Sequence, residues 1–204
     1  MAVEELEAHG AEEHQTSLGL DSRKVAMWAF LGSECMFFGA LIATYLLFHT
    51  HLNNGPGPRD VYNIPYTSVS SFVLLMSSLT MVLALAAHQR GDERGLRIWL
   101  LATAFLGMTF IGGQVYEFTE FFKEGLTIKT SPFGSAFFML TGFHGAHVTI
   151  GILMLLSLFQ LSRMGKLPSA QSLKVELVGL YWHFVDVVWI VIFTVVYLIP
   201  AAKK

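Results

Sequence analysis

The stretch VAMWAFLGSECMFFGALIATYLLF, residues 25–48, runs for 24 residues with Glu34 as its one Asp, Glu, Lys or Arg. A helix of that length rises about 36 Å, enough to cross the roughly 30 Å hydrocarbon layer of a bilayer. A soluble core helix would show a run of 10–14 residues with one polar face, and this run is apolar all round. Four similar runs follow at 69–87, 98–116, 133–161 and 177–200. The expected fold is therefore all-α: an integral membrane bundle of five transmembrane helices over residues 25–200, preceded by an acidic tail, residues 1–24.

Composition agrees. Of 204 residues, 53% are apolar and 14% charged, against about a quarter charged in soluble domains. Disordered and nucleic-acid-binding chains are excluded by the same figures, since they carry fewer aromatics or a basic excess. The net charge is −2; residues 1–22 hold six acids and no Lys or Arg, so the remainder carries +4. That acidic start lacks the basic region of a secretory signal and the arginines of a transit peptide, so no cleaved leader is expected. The lone Cys35 lies in an apolar run, where a thiol behaves as a small hydrophobe.

The six prolines, at 56, 58, 65, 132, 168 and 200, fall between the runs or at their ends, so the helices are expected to be unbroken. No internal repeat of the kind found in many transporters is evident. With the N-terminus inside, the cytoplasmic segments would hold eight Lys and Arg (23, 24, 90, 94, 97, 163, 166, 174) and the outer ones five (59, 123, 129, 203, 204). The bias favours N-terminus in and C-terminus out.

Ionisable groups at bilayer depth are functional candidates because they are costly unless neutralised or partnered. Glu34 and Asp186 each sit nine residues into their runs and are expected at similar depth. An ionised Glu34 would be expensive in hydrocarbon, so a neutral or hydrogen-bonded carboxyl is expected. His183 lies one turn before Asp186, on the same face, so an imidazole–carboxylate bond is available. His144 and His147 form a second i,i+3 pair, flanked by Gly142, Gly145 and Gly151.

Three readings of these groups are open: a metal or haem site between helices, a proton or ion relay, and mutual satisfaction that fixes helix packing. No ExxH pair occurs, and two histidines on one turn do not make the facing pair of a bis-His haem. Glu117, Glu120 and Tyr116 close the third run and are expected at the outer interface, solvated or in an aromatic belt. His88 and Arg90 read as headgroup anchors, Trp182 and Trp189 as packing or interfacial residues, and His9 and His14 as parts of a solvated arm.

Read together, four segments resemble subunit III of the haem–copper terminal oxidases. They are Tyr181-Trp182-His183-Phe184-Val185-Asp186-Val187-Val188-Trp189, Phe143-His144-Gly145-Ala146-His147-Val148, Ser33-Glu34-Cys35-Met36-Phe37-Phe38 and Gly113-Gln114-Val115-Tyr116-Glu117. Their order and spacing also agree, over residues 25–199. The resemblance implies an accessory subunit with no haem, copper or other cofactor of its own. It would pack against the redox-active subunit I, hold phospholipids and support proton uptake, with haem and copper in partner subunits and no nucleic-acid partner. It makes the polar set Glu34, His144, His147, His183 and Asp186 structural, lipid-linked or proton-linked, and gives Glu34 the role of a carboxyl buried in the membrane. The mitochondrial form has two more N-terminal helices; five helices resemble the bacterial oxidases, hence a multi-pass protein of the bacterial cell membrane. Without the resemblance, the residues also fit a small channel or carrier with a Glu/Asp/His relay.

Overall fold

The structure, a computed structural model, describes residues 21–52, 63–167 and 172–198. Among them are five helices and no strand: α1 (Ser22–Phe48), α2 (Ile64–Gln89), α3 (Glu93–Lys123), α4 (Pro132–Arg163) and α5 (Ser172–Phe193), the last running into a π-helical turn, Thr194–Leu198. All five are long and apolar enough to cross a membrane. Most of the acidic tail, with His9 and His14, lies outside the described residues, as do residues 53–62 and 199–204.

The first four helices are longer than their apolar runs, and α5 begins five residues before its own. The extra turns are polar, and local chemistry closes them. Asp92 caps α3 by accepting from the Gly95 N–H at 2.9 Å, and Ser131 caps α4 by accepting from the Gly134 N–H at 3.0 Å. Pro65 and Pro132 sit in first turns, where no N–H is missed. At the other ends, Gly91 (φ +74°) and Gly125 (φ +85°) take the left-handed conformation that stops α2 and α3. The next N–H groups then return to the helix: Asp92 N–H to the Ala87 carbonyl at 3.0 Å, Leu126 N–H to the Phe121 carbonyl at 2.9 Å. Such closure satisfies the backbone groups that every helix end leaves without an intrahelical partner.

The chain divides into two compact units, residues 1–37 and 38–204. Described residues of the first form the N-terminal part of α1, which carries Glu34, half-buried, and Cys35, exposed. In the second, α2 packs on α3 and α5, and α4 on α3 and α5, so the four helices close a ring in the order α2, α3, α4, α5. The core of this unit is aromatic, with Trp182, Tyr45, Tyr181, Tyr197, Phe110, Phe121, Phe133 and Phe137 fully buried.

Small residues set how close the helices come. A Cβ on Gly107 of α3 would lie 2.6 Å from the Trp182 ring, and one on Gly151 of α4 would lie 2.8 Å from it. The α5 indole is therefore held between two glycines, the small-residue contact expected where lipid gives no hydrophobic drive for association.

Candidate functional site

Two polar clusters lie inside the second unit. The first joins α2 and α5. The Ser78 hydroxyl is 3.0 Å from His183 Nδ1 and donates to Asp186 Oδ2. His183 and Asp186 do share a face, as their spacing predicts, but a serine from another helix stands between them. Asp186 is 4% exposed, and its Oδ1 is buried with no hydrogen-bond partner. His183 is half-buried and opens on a cleft of about 200 Å³, lined also by Met81, Val82, Leu85, Glu176, Gly179 and Leu180. Two indoles tie the same helices: Trp182 Nε1 donates to Ser77 Oγ and Trp189 Nε1 to Ser71 Oγ, both at 2.9 Å.

The second cluster joins α2, α3 and the π-helical turn. Glu117 accepts from the Thr67 hydroxyl and from Tyr197. Tyr45 of α1 donates to the Val196 carbonyl at 3.4 Å, so the turn is held from two sides. Glu117 is 6% exposed, which corrects the expectation of a solvated interfacial side chain. The reason is helical phase. Thr103, Gly107, Phe110, Gln114, Glu117 and Phe121 recur every three or four residues along the buried face of α3. Tyr116, one position off that stripe, is 56% exposed and faces outward, tilted against Tyr66 at 5.5 Å between ring centroids. Glu120 pairs with Lys123 at 2.8 Å on the exposed side.

The histidine pair of α4 is split. His144 is wholly buried, stacked on Trp189 with centroids 4.9 Å apart, with Phe110 edge-on; neither ring nitrogen has a hydrogen-bond partner. His147 is half-buried, bonds the Phe143 carbonyl through Nδ1 at 2.7 Å, and meets the Phe38 ring edge at 5.0 Å. His88, read as a headgroup anchor, is instead 2% exposed with Nε2 unpartnered, whereas Arg90 beside it is exposed. Among the described residues no three His, Cys, Asp or Glu side chains converge as metal ligands. Gln114, not singled out by the sequence, donates from Nε2 to the Thr141 carbonyl at 2.7 Å and lies against Gly145, where a Cβ would come within 2.7 Å of its Oε1.

The cytochrome c oxidase subunit III family model matches residues 2–200. The chain belongs to that family. Similar proteins include cytochrome c oxidase subunit 3 of Bacillus sp. (strain PS3), 39% identical over 92% of this chain and 91% of the relative. Quinol oxidase subunit 3 of Bacillus subtilis (strain 168) is 41% identical over 85% of each chain. Cytochrome bo(3) ubiquinol oxidase subunit 3 of Pseudomonas aeruginosa is 34% identical over 98% of this chain and 100% of the relative. Relatives thus carry both cytochrome c oxidase and quinol oxidase names, and nearly the whole of this chain is covered. The subunit III family and the five apolar helices make it a multi-pass membrane protein of the bacterial respiratory oxidases. Within it, residues 181–189 of α5 supply Trp182, His183, Asp186 and Trp189, four side chains that contact α2, α3 or α4.

Proposed function

We propose that this chain is the accessory third subunit of a proton-pumping haem–copper oxidase, bearing no redox centre and docking on the haem-bearing subunit I. The observation that carries the reading is that five polar side chains of the second unit bond across its own helices. Trp182, Trp189, Asp186, Glu117 and Gln114 all close bonds within the chain. Such bonds fix a scaffold. An apolar groove of about 420 Å³, lined by Leu41, Thr44, Phe48, Pro132, Ser135, Ala136 and Met139, suits a phospholipid acyl chain and supports the lipid-holding part of the reading. The bias of Lys and Arg supports an N-terminus inside and a C-terminus outside.

Purification of the tagged chain in mild detergent is the test. It is expected to bring haem-containing subunits with it in fixed ratio, and to hold no stoichiometric haem, copper or iron once separated from them. In the same cells a label reaching Lys203 and Lys204 is expected only from outside. Isolation without haem proteins, or metal kept by the single chain after chelation, overturns the reading, and labelling only from the cytoplasm overturns the topology.

Glu34 is assigned a neutral, hydrogen-bonded role in the membrane, with a contribution to proton supply. On that assignment Glu34→Gln assembles in normal yield while sustained turnover falls. Unchanged turnover leaves a packing role alone, and failure of Glu34→Gln to assemble where Glu34→Asp succeeds refutes neutrality.

A further inference from the structure

Ser78 has one proton and two strong neighbours, and the three groups have two complete hydrogen-bonding states. With Asp186 ionised, His183 Nδ1–H donates to Ser78 Oγ, and the serine O–H donates to Asp186 Oδ2. With Asp186 protonated, every bond in the chain reverses. The carboxylic O–H then donates to Ser78, Ser78 donates to His183 Nδ1, and the imidazole carries its proton on Nε2. Both bonds of Ser78 are made in either state, and no heavy atom has to move between them.

The two states differ by one proton, and the imidazole is its entry point. Asp186 itself is 4% exposed, while His183 lines the 200 Å³ cleft that also holds Glu176. Glu176 lies seven residues earlier on α5, which is about 10 Å toward the start of the helix. The cleft has room for several waters. The other groups facing the site are apolar or neutral: Met81, Val82 and Leu85 from α2, and Gly179 and Leu180 from α5. The unpartnered Oδ1 gives the site its bias. An ionised carboxylate would keep one oxygen bare in a buried place, and protonation removes that charge.

We propose that Asp186, Ser78 and His183 form a reversible proton-binding site, filled from the cleft that begins at Glu176. In the loading step a hydronium in the cleft gives a proton to His183 Nε2. The Nδ1 proton passes to Ser78 Oγ, and the serine proton passes to Asp186 Oδ2. Three bonds break, a hydronium O–H, His183 Nδ1–H and the old Ser78 O–H, and three form, His183 Nε2–H, a new Ser78 O–H and the Asp186 O–H; the net change is one proton added to the carboxylate and one water released. The site is reached from that cleft, and it stores a proton and returns it there. This inference goes beyond the accessory role and stands whether or not that role is correct.

The full-length protein, in the assembly with which it purifies, is examined by difference infrared spectroscopy of the protonated-carboxyl C=O stretch. Asp186→Asn is expected to remove one such band and so assign it. After transfer to D2O the assigned band shifts in the wild type; in Ser78→Ala and in His183→Gln the shift is expected to slow at least tenfold. Ser78→Thr, which keeps the hydroxyl, is expected to exchange as the wild type does. If Ser78→Ala does not fold, His183→Gln and Ser78→Thr still decide the matter. A spectrum with no band lost in Asp186→Asn, or a band that exchanges at the wild-type rate in His183→Gln, overturns the proposal. Co-purification with haem subunits is a separate readout, so failure of this site and failure of the accessory reading are told apart.

Discussion

Trp182→Ala is expected to lower the stability of the helix bundle by about 3 kcal/mol, a large share of what a single domain has to spare. The indole is 1% exposed and wedged between Gly107 and Gly151. Lipid is as apolar as the bundle interior, so the hydrophobic transfer term that adds to such losses in water is small here. What remains is dispersion: the facing atoms of Gly107 and Gly151 lose their partner and cannot close the gap, because neither position has a side chain. Trp182→Phe keeps most of the ring and loses the bond to Ser77, whose hydroxyl still donates to the Leu74 carbonyl. That change is expected to cost about 1 kcal/mol. Filling the groove from the other side, as in Gly151→Val, puts a methyl-bearing carbon 2.8 Å from the ring and should also destabilise, by about 1–3 kcal/mol. Denaturant midpoints in detergent micelles check the order. If alanine at 182 costs no more than phenylalanine, the indole is not the wedge that sets the α3, α4 and α5 spacing.

The five helices were legible because the bilayer leaves the backbone so few choices. Long runs free of charge mean helices whatever the side chains do next. Helix ends were less legible: the apolar run of α3 stops at Tyr116, yet the helix continues to Lys123, since its last turns are polar by composition but helical by bonding. Hydropathy is blind to phase, so it sets Glu117 beside Glu120 at the solvated end of the run. The four-then-three spacing that links Phe110, Gln114, Glu117 and Phe121 held the signal. The pairing of His183 with Asp186 on one face was readable from their spacing, whereas Ser78 was not, because nothing along one helix tells which residue of another will face it. The π-helical turn at Thr194–Leu198 has no proline or glycine to announce it.

Glu117→Lys is expected to be the most damaging exchange of a single polar side chain. A lysine at this position replaces an acceptor of two hydroxyl donors by three N–H donors, and brings a charge into a place that is 6% exposed. A buried lysine with no acceptor costs the desolvation of its charge, and the lost bonds add to that. Glu117→Ala is expected to cost less, about 1–2 kcal/mol, because Thr67 has the Asn63 carbonyl 3.0 Å away as a second acceptor and only Tyr197 loses its carboxylate. Glu117→Gln keeps one acceptor oxygen and should cost least. Glu120→Lys is the control: Glu120 meets solvent and Lys123, and an exposed pair of that kind is worth well under about 1 kcal/mol. Yield of folded protein in the membrane and the midpoint of unfolding give the ranking. A solvated Glu117 would accept lysine as readily as Glu120 does, so equal behaviour of the two lysine variants would return Glu117 to the interface. It would also leave the π-helical turn without its anchor on α3, since Tyr197 reaches that helix through Glu117.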